Sequence, residues 1–187
     1  MRIFMLFAQK ATIEPFPLNN MPGAGRMDII ARCVTSALWV SHGIRRDTKI
    51  YCFLLKGKTV LFDGNLVRRL SPDERSVGSW LNKALAKECK NKWNKVQEGI
   101  FVSEEPIENI IKDVSKGKQI FILDENGTDI REVKFEKHVV FLIGDHIGIP
   151  KQIEKVLGKI EKISLCKKSY LASSCISIVH NEIDRRN

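Results

Sequence analysis

The chain is short of the features that assign a protein quickly. Its five cysteines, at 33, 52, 89, 166 and 175, are odd in number, and no pair has CxxC spacing. That argues against a disulfide framework and against a zinc site, and points to a reducing compartment, the cytoplasm. No metal motif is visible, so no metal is expected. No apolar run is long enough to span a bilayer, which argues against a membrane partner. The opening MRIFMLFA is apolar but too short for a span, and it carries no small-residue cleavage site. It reads as a first core strand. The stretch Gly23-Ala24-Gly25 lacks the third glycine of a dinucleotide fingerprint. There is no internal repeat and no low-complexity segment.

What is present bounds the class. A length of 187 residues fits one domain over 1–187, and 43% apolar residues suffice for a real core. Lys plus Arg exceed Asp plus Glu by 31 − 22 = +9. That excess favours a polyanionic partner, RNA or DNA ahead of a membrane, over a merely soluble basic surface.

Strand and helix signals alternate. Strands are expected over 2–8, 49–55, 99–102, 119–123, 139–143 and 162–165. A β-hairpin is expected at about 59–69, where Asp63-Gly64 separates two short apolar stretches. Helices are expected from Asp28 to His42, with Asp28 as cap and Gly43 as terminator; from Ser71-Pro72-Asp73-Glu74, with Ser71 as cap; from Ser103 to Lys116; and from Ser169 to about Asp184. The basic stretch Lys87 to Lys95 reads as the solvated far end of the second helix. The pattern is that of an α/β protein with a mainly parallel sheet.

The last quarter organises the rest. Val139 to Ile143 is an apolar run that stops at Gly144-Asp145, the signature of a buried parallel strand. A second strand, Lys162 to Leu165, runs into a loop and then the last helix. Two strand-to-loop-to-helix junctions side by side make a crevice where open α/β sheets bind ligands. Gly144 and Gly148 either turn the chain or let its backbone come close to a ligand.

GDHIGIP, followed by an ending SL-x4-YLAS-x-CI-x-I-x-HN, resembles the archaeal tRNA pseudouridine-54 N1-methyltransferases, of the SPOUT class. GRMDIIARC, SHGIRRD and LSPDERSVG extend the resemblance over nearly the whole chain. The resemblance implies a C-terminal trefoil knot that holds S-adenosylmethionine, a homodimer, and methylation of N1 of pseudouridine 54 in the T-loop of tRNA. Two other functions stay open: methylation of a ribosomal RNA pseudouridine with a part in ribosome assembly, and RNA binding without catalysis.

Leu123, Gly144 and Leu165, the loop Cys166, Lys167, Lys168, Ser169 and Tyr170, and Cys175 are the positions implied to surround the methyl donor. Cys175 is either a small buried hydrophobe or a pocket contact; no histidine sits at helical contact spacing to activate it as a nucleophile. Arg26, Arg32, Arg45 and Arg46, near the two ends of the first helix, are candidate RNA contacts, since guanidinium groups fork onto phosphates. The alternative is a solvated helix with charge-complemented ends. Asp28 is the candidate to accept the uracil imide proton, unless it only caps its helix.

Overall fold

The computed structural model describes residues 1–89 and 92–186. Arg2–Ala8 (β1) is buried at every position and runs through the middle of a sheet with eight strands among the described residues. A strand covered on both faces has to be apolar on both. Phe4 and Leu6 enter one core with Ile30, Val34, Leu81 and Val179; Ile3, Met5 and Phe7 enter a second with Ile110, Ile111 and Ile153. The first core is covered by Met27–Leu38 (α1), Glu74–Leu85 (α2) and Ala172–Asp184 (α5), the second by Ile107–Ser115 (α3) and Lys151–Leu157 (α4).

Trp39–Val40 (β2) and Gly43–Ile44 (β3) form a two-residue ribbon. The large sheet contains Thr48–Leu54 (β4), Lys58–Asp63 (β5), Asn94–Gln97 (β6), Ile100–Ser103 (β7), Gln119–Asp129 (β8), Val139–Gly144 (β9) and Glu161–Ser164 (β10). Its order is β10-β8-β9-β1-β4-β5-β7-β6. The pairs from β10 to β4 are parallel and those from β4 to β6 antiparallel. The mainly parallel α/β class is therefore borne out, with an antiparallel margin on one side. Because β1 pairs with both β4 and β9, the order reverses beside it, the arrangement that opens a crevice at strand carboxyl ends.

Several boundaries depart from expectation. The hairpin at 59–69 does not form: β5 already has β4 on one side and β7 on the other, so 66–69 finds no free edge. Asp63-Gly64 instead turns the chain onto 45–48, where a side chain at Gly64 would start 2.1 Å from the Arg45 carbonyl oxygen. Helix α1 ends at Leu38, not His42, because the returning chain brings the Arg45 N–H to the Leu38 carbonyl, 2.7 Å away. Its cap is Arg26, held in left-handed backbone at φ 68°, so Asp28 lies inside the first turn and is not the cap. Helix α2 is capped by Asp73, which accepts from the Ser76 N–H at 2.7 Å, two positions after the expected Ser71.

Helix α3 waits until after Pro106, since the residue before a proline avoids helical backbone. The stretch expected as the solvated end of α2 instead contributes β6; Lys90 and Asn91 lie outside the described residues. Gly127 sits inside β8. A Cβ there would lie 2.5 Å from backbone atoms of Lys162 and Ile163, so only glycine lets β10 pack this closely, and the register shifts at that point.

Candidate active site

Leu123, Gly144 and Leu165 stand on, or one residue beyond, three adjacent strands, and they line one cavity of about 380 Å³. The volume suits a small organic ligand. Ile143 and Ile149 add apolar wall; Cys166, Lys168, Ser169, Tyr170 and Cys175 come from the loop and helix after β10; Ile29 and Arg32 enter from α1. Of the nine positions expected around the methyl donor, Lys167 alone is not among the lining residues. It is exposed on the same loop.

The loop 144–148 is fastened from both sides. Asp145 donates its N–H to the Phe7 carbonyl at 3.0 Å, and its carboxylate accepts from the N–H groups of Gln9 and Ile147, each at 2.8 Å. The Gln9 side chain donates to the Gly148 carbonyl at 2.9 Å. Gly148 has φ +96°, a backbone state that favours glycine, and a Cβ on Gly144 would lie 2.4 Å from the Gly148 carbonyl carbon. The need for glycine at 144 is thus first a need of the loop, which folds back onto it. Of the two roles the sequence leaves open for Gly144, turning the chain and admitting a ligand, the loop geometry shows the first.

The facing loop is shaped by its own side chains. Ser164 donates to the Cys166 carbonyl at 2.9 Å, the Cys166 sulfur accepts from the Lys168 N–H at 3.2 Å, and Ser169 donates to the Glu125 carboxylate. This explains why α5 begins at Ala172 and not at Ser169. Cys175 is half-buried. Burial, with the Glu125 charge adding to it, pushes its thiol up to about 11, so the sulfur is a neutral contact at physiological pH.

Beside the cavity, Asp28 is 6% exposed and holds two guanidinium groups. Arg26 donates through Nε and Nη2 at 3.0 Å each, and Arg32 through Nη2 at 2.6 Å. Burial works against the carboxylate, but the bonds and charges of the two arginines outweigh it and hold its pKa below the ordinary value. The arginine side chains stay open to solvent, at 42% and 37%.

Arg45 and Arg46 are not brought to this cluster. Arg45 donates to Asp184 at 3.2 and 2.6 Å, and Arg46 donates to the Gly64 and Val67 carbonyls at 2.9 and 2.8 Å. Sequence reasoning missed Gln9, Asp124, Glu125 and Asp145 as site residues. The last three had a visible signal: they come at the end of an apolar run of the sequence, in LDE and LIGD. Among the described residues there is no group of three or more His, Cys, Asp or Glu placed to hold a metal ion, and no helix long and apolar enough to cross a membrane.

A family model described as "Putative SAM-dependent RNA methyltransferase" matches residues 1–187. The tRNA (pseudouridine(54)-N(1))-methyltransferase of Methanococcoides burtonii is 39% identical over 195 residues, covering 99% of this chain and 96% of its own. The protein of the same name from Methanococcus vannielii is 40% identical over 196 residues, with 99% of each chain covered. Among solved structures, Archaeoglobus fulgidus Nep1 bound to S-adenosylhomocysteine superimposes with a TM-score of 0.65 at 17% identity, over 98% of this chain and 96% of that one. This last is a likeness of fold, and it bears out the SPOUT-type architecture implied by the sequence motifs. By its full-length match and by its relatives, the chain belongs to the family of SAM-dependent RNA methyltransferases.

Proposed function

We propose that this protein methylates N1 of pseudouridine 54 in the T-loop of tRNA, with S-adenosylmethionine as donor, in the cytoplasm. The observation that carries the reading is the juxtaposition of a ligand-sized cavity built on three adjacent strands with the Arg26–Asp28–Arg32 cluster, its arginines open to solvent, on its α1 side. The relatives' shared name supplies the substrate.

The cavity suits the donor. Leu123, Ile143, Ile149 and Leu165 make an apolar slot for an adenine ring, and the backbone of the two loops offers donors and acceptors at its edge. Carboxylates line the same cavity, as a cationic ligand needs. S-adenosylmethionine, when bound, supplies an electrophilic methyl group. The chain's own residues then have three tasks. The loops 144–148 and 165–171 fix the donor's orientation. Arg26 and Arg32 face the RNA, gripping phosphate or stabilising the negative charge that develops as the uracil imide loses its N1 proton. Asp28 holds both guanidinium groups in position. Its depressed pKa makes it a poor proton acceptor, so in this reading it acts through the arginines.

The assembly in this reading is a homodimer, with the C-terminal chain threaded as a trefoil knot. Tyr170 and Leu171 are 48% and 68% exposed at the cavity mouth, and Ile147 is 45% exposed across from them. Such an apolar rim calls for a cover, and a second copy together with the RNA supplies one. Helix α5 itself contributes little to that rim, since Ile176, Val179 and Ile183 are buried in their own core.

The test is incubation with S-adenosylmethionine and tRNA carrying pseudouridine at 54, followed by nucleoside mass spectrometry. N1-methylpseudouridine at that position is expected, with none on a transcript carrying uridine there. Methylation of ribosomal RNA alone would overturn the substrate assignment.

A further inference from the structure

Four carboxylates stand in or beside the cavity, and three are already committed. Asp28 is held between Arg26 and Arg32. Asp124 pairs with Lys162 at 2.8 Å. Asp145 is spent on two backbone N–H groups, with its side chain 4% exposed. Glu125 differs: it lines the cavity, is exposed, and among the described residues has a hydroxyl, Ser169 Oγ, as its side-chain partner and no cation. Its partner Ser169 and the Cys175 thiol line the same cavity, so the carboxylate stands at the wall of that cavity.

An uncompensated carboxylate at the wall of a ligand cavity has a chemical meaning. S-adenosylmethionine and S-adenosylhomocysteine share the adenosine, the ammonium and the carboxylate. They differ by one methyl group and by one positive charge, on sulfur. Apolar walls and backbone hydrogen bonds treat the two nearly alike, because the shared parts dominate those contacts. A free negative charge a few ångströms away does not. Even at the high effective dielectric of a partly open site, one unit charge across such a distance changes affinity by roughly tenfold.

We infer that Glu125 is a specificity residue that reads the sulfonium charge, so that the pocket holds the methyl donor more tightly than the spent cofactor and favours release of the latter after transfer. Ser169, which lines the same cavity, holds the carboxylate through its hydrogen bond and is the positioning residue in this arrangement. The inference rests on the reading of the cavity as the methyl-donor site.

The substitution Glu125→Gln tests it cleanly. It removes the charge but keeps the length and an acceptor oxygen for Ser169, and at an exposed position it leaves the fold intact. Binding of S-adenosylmethionine and of S-adenosylhomocysteine to parent and variant is measured by calorimetry, with no RNA present. The expected result is a loss of roughly tenfold in affinity for S-adenosylmethionine, a change of less than about twofold for S-adenosylhomocysteine, and a loss of the salt dependence that separates the two ligands in the parent. Glu161→Gln, an exposed carboxylate outside the cavity lining, should leave the ratio of the two affinities at the parental value. Equal losses for both ligands, or no loss for either, overturn the role of Glu125 while the cavity assignment stands. Failure of the parent to bind either ligand overturns the cavity assignment and this inference with it.

Discussion

The two ends of α1 carry the same chemical kit and use it differently. At the start, Asp28 sits between Arg26 and Arg32. Beyond the far end, Asp184 of α5 sits between Arg2 and Arg45, at 2.6 Å from each. In the first cluster the carboxylate is covered and the arginines are open. In the second the arginine side chains are 7% and 17% exposed, and the carboxylate is the more open partner, at 38%. The second cluster also takes in His180: Arg2 donates to its Nδ1 at 2.9 Å, and its Nε2–H donates to the Ala37 carbonyl at 3.0 Å, which sets a neutral ring with the proton on Nε2. That closed network ties β1, α1 and α5 together. The open one has guanidinium surface left for a ligand. An arginine with its donors spent inside the protein is part of the fold, and one that still faces water can be part of a site.

The largest effect should come from opening the closed cluster. Arg2→Ala leaves a buried histidine nitrogen without its donor and takes one guanidinium from Asp184. Breaking a buried charged network of this kind costs about 3 to 5 kcal/mol. Urea unfolding of the variant should show that loss, and a change below about 1 kcal/mol would mean the network is not what holds the ends together. The same cluster sets a pH dependence. Burial, reinforced by the charges of Arg45 and Arg2, holds His180 down at about 3. The folded chain therefore refuses a proton that the unfolded chain accepts below the ordinary histidine value of about 6.5. Stability should be full above that value and fall with each step toward pH 4, levelling only near 3. His180→Gln should lose that slope between pH 6.5 and 5, whatever it does to stability at pH 8. An unchanged slope would assign the acid sensitivity elsewhere.

At the open cluster the effect should fall on RNA and spare the fold. Arg26→Ala should lower kcat/KM for tRNA by roughly a hundredfold, shift the melting temperature little, and leave S-adenosylmethionine affinity within about twofold of the parent. A variant that melts early and turns over normally would make this cluster a second copy of the closed one.

The fate of Asp28 sharpens the contrast further. Asp28→Asn should slow turnover by about tenfold and raise the KM for tRNA, because the guanidinium groups lose the charge that orients them. A proton acceptor and a holder of arginines part company at high pH. If Asp28 took the imide proton, the variant would recover as the imide ionises unaided. Holding the arginines predicts no recovery up to about pH 9.5. The rate profile of the two proteins across that range decides between them.

How much of this was legible beforehand depends on the range of the interaction. β1, β4 and β9 were readable because each is an apolar stretch bounded by polar or turn residues, a purely local signal. The cavity positions followed from family motifs in the last quarter of the chain. Caps were misread by a residue or two because Ser71 and Asp73 offer the same oxygen chemistry, and only the chain path selects Asp73. The hairpin at 59–69 failed because its local turn signal was sound while both edges of β5 were taken by distant strands. Arg45 and Arg46 looked like Arg26 and Arg32 because nothing near them in sequence reveals Asp184, 139 positions from Arg45, or the carbonyls of Gly64 and Val67.

That last pair gives the smallest effect and the sharpest check on the comparison. Charge alone puts Arg45 on an RNA-binding face, and its substitution would then weaken tRNA binding and flatten its salt dependence. The structure gives its Nη1 and Nη2 to Asp184, while Arg2 keeps hold of the same carboxylate from the other side. Removing Arg45 therefore loses one of two partners of a half-open carboxylate, a cost of about 1 kcal/mol. Arg45→Ala should lower the unfolding midpoint slightly, and the KM for tRNA and its salt slope should match the parent at physiological ionic strength. A raised KM with unchanged stability would move Arg45 into the RNA surface, and the two ends of α1 would then differ in exposure without differing in use.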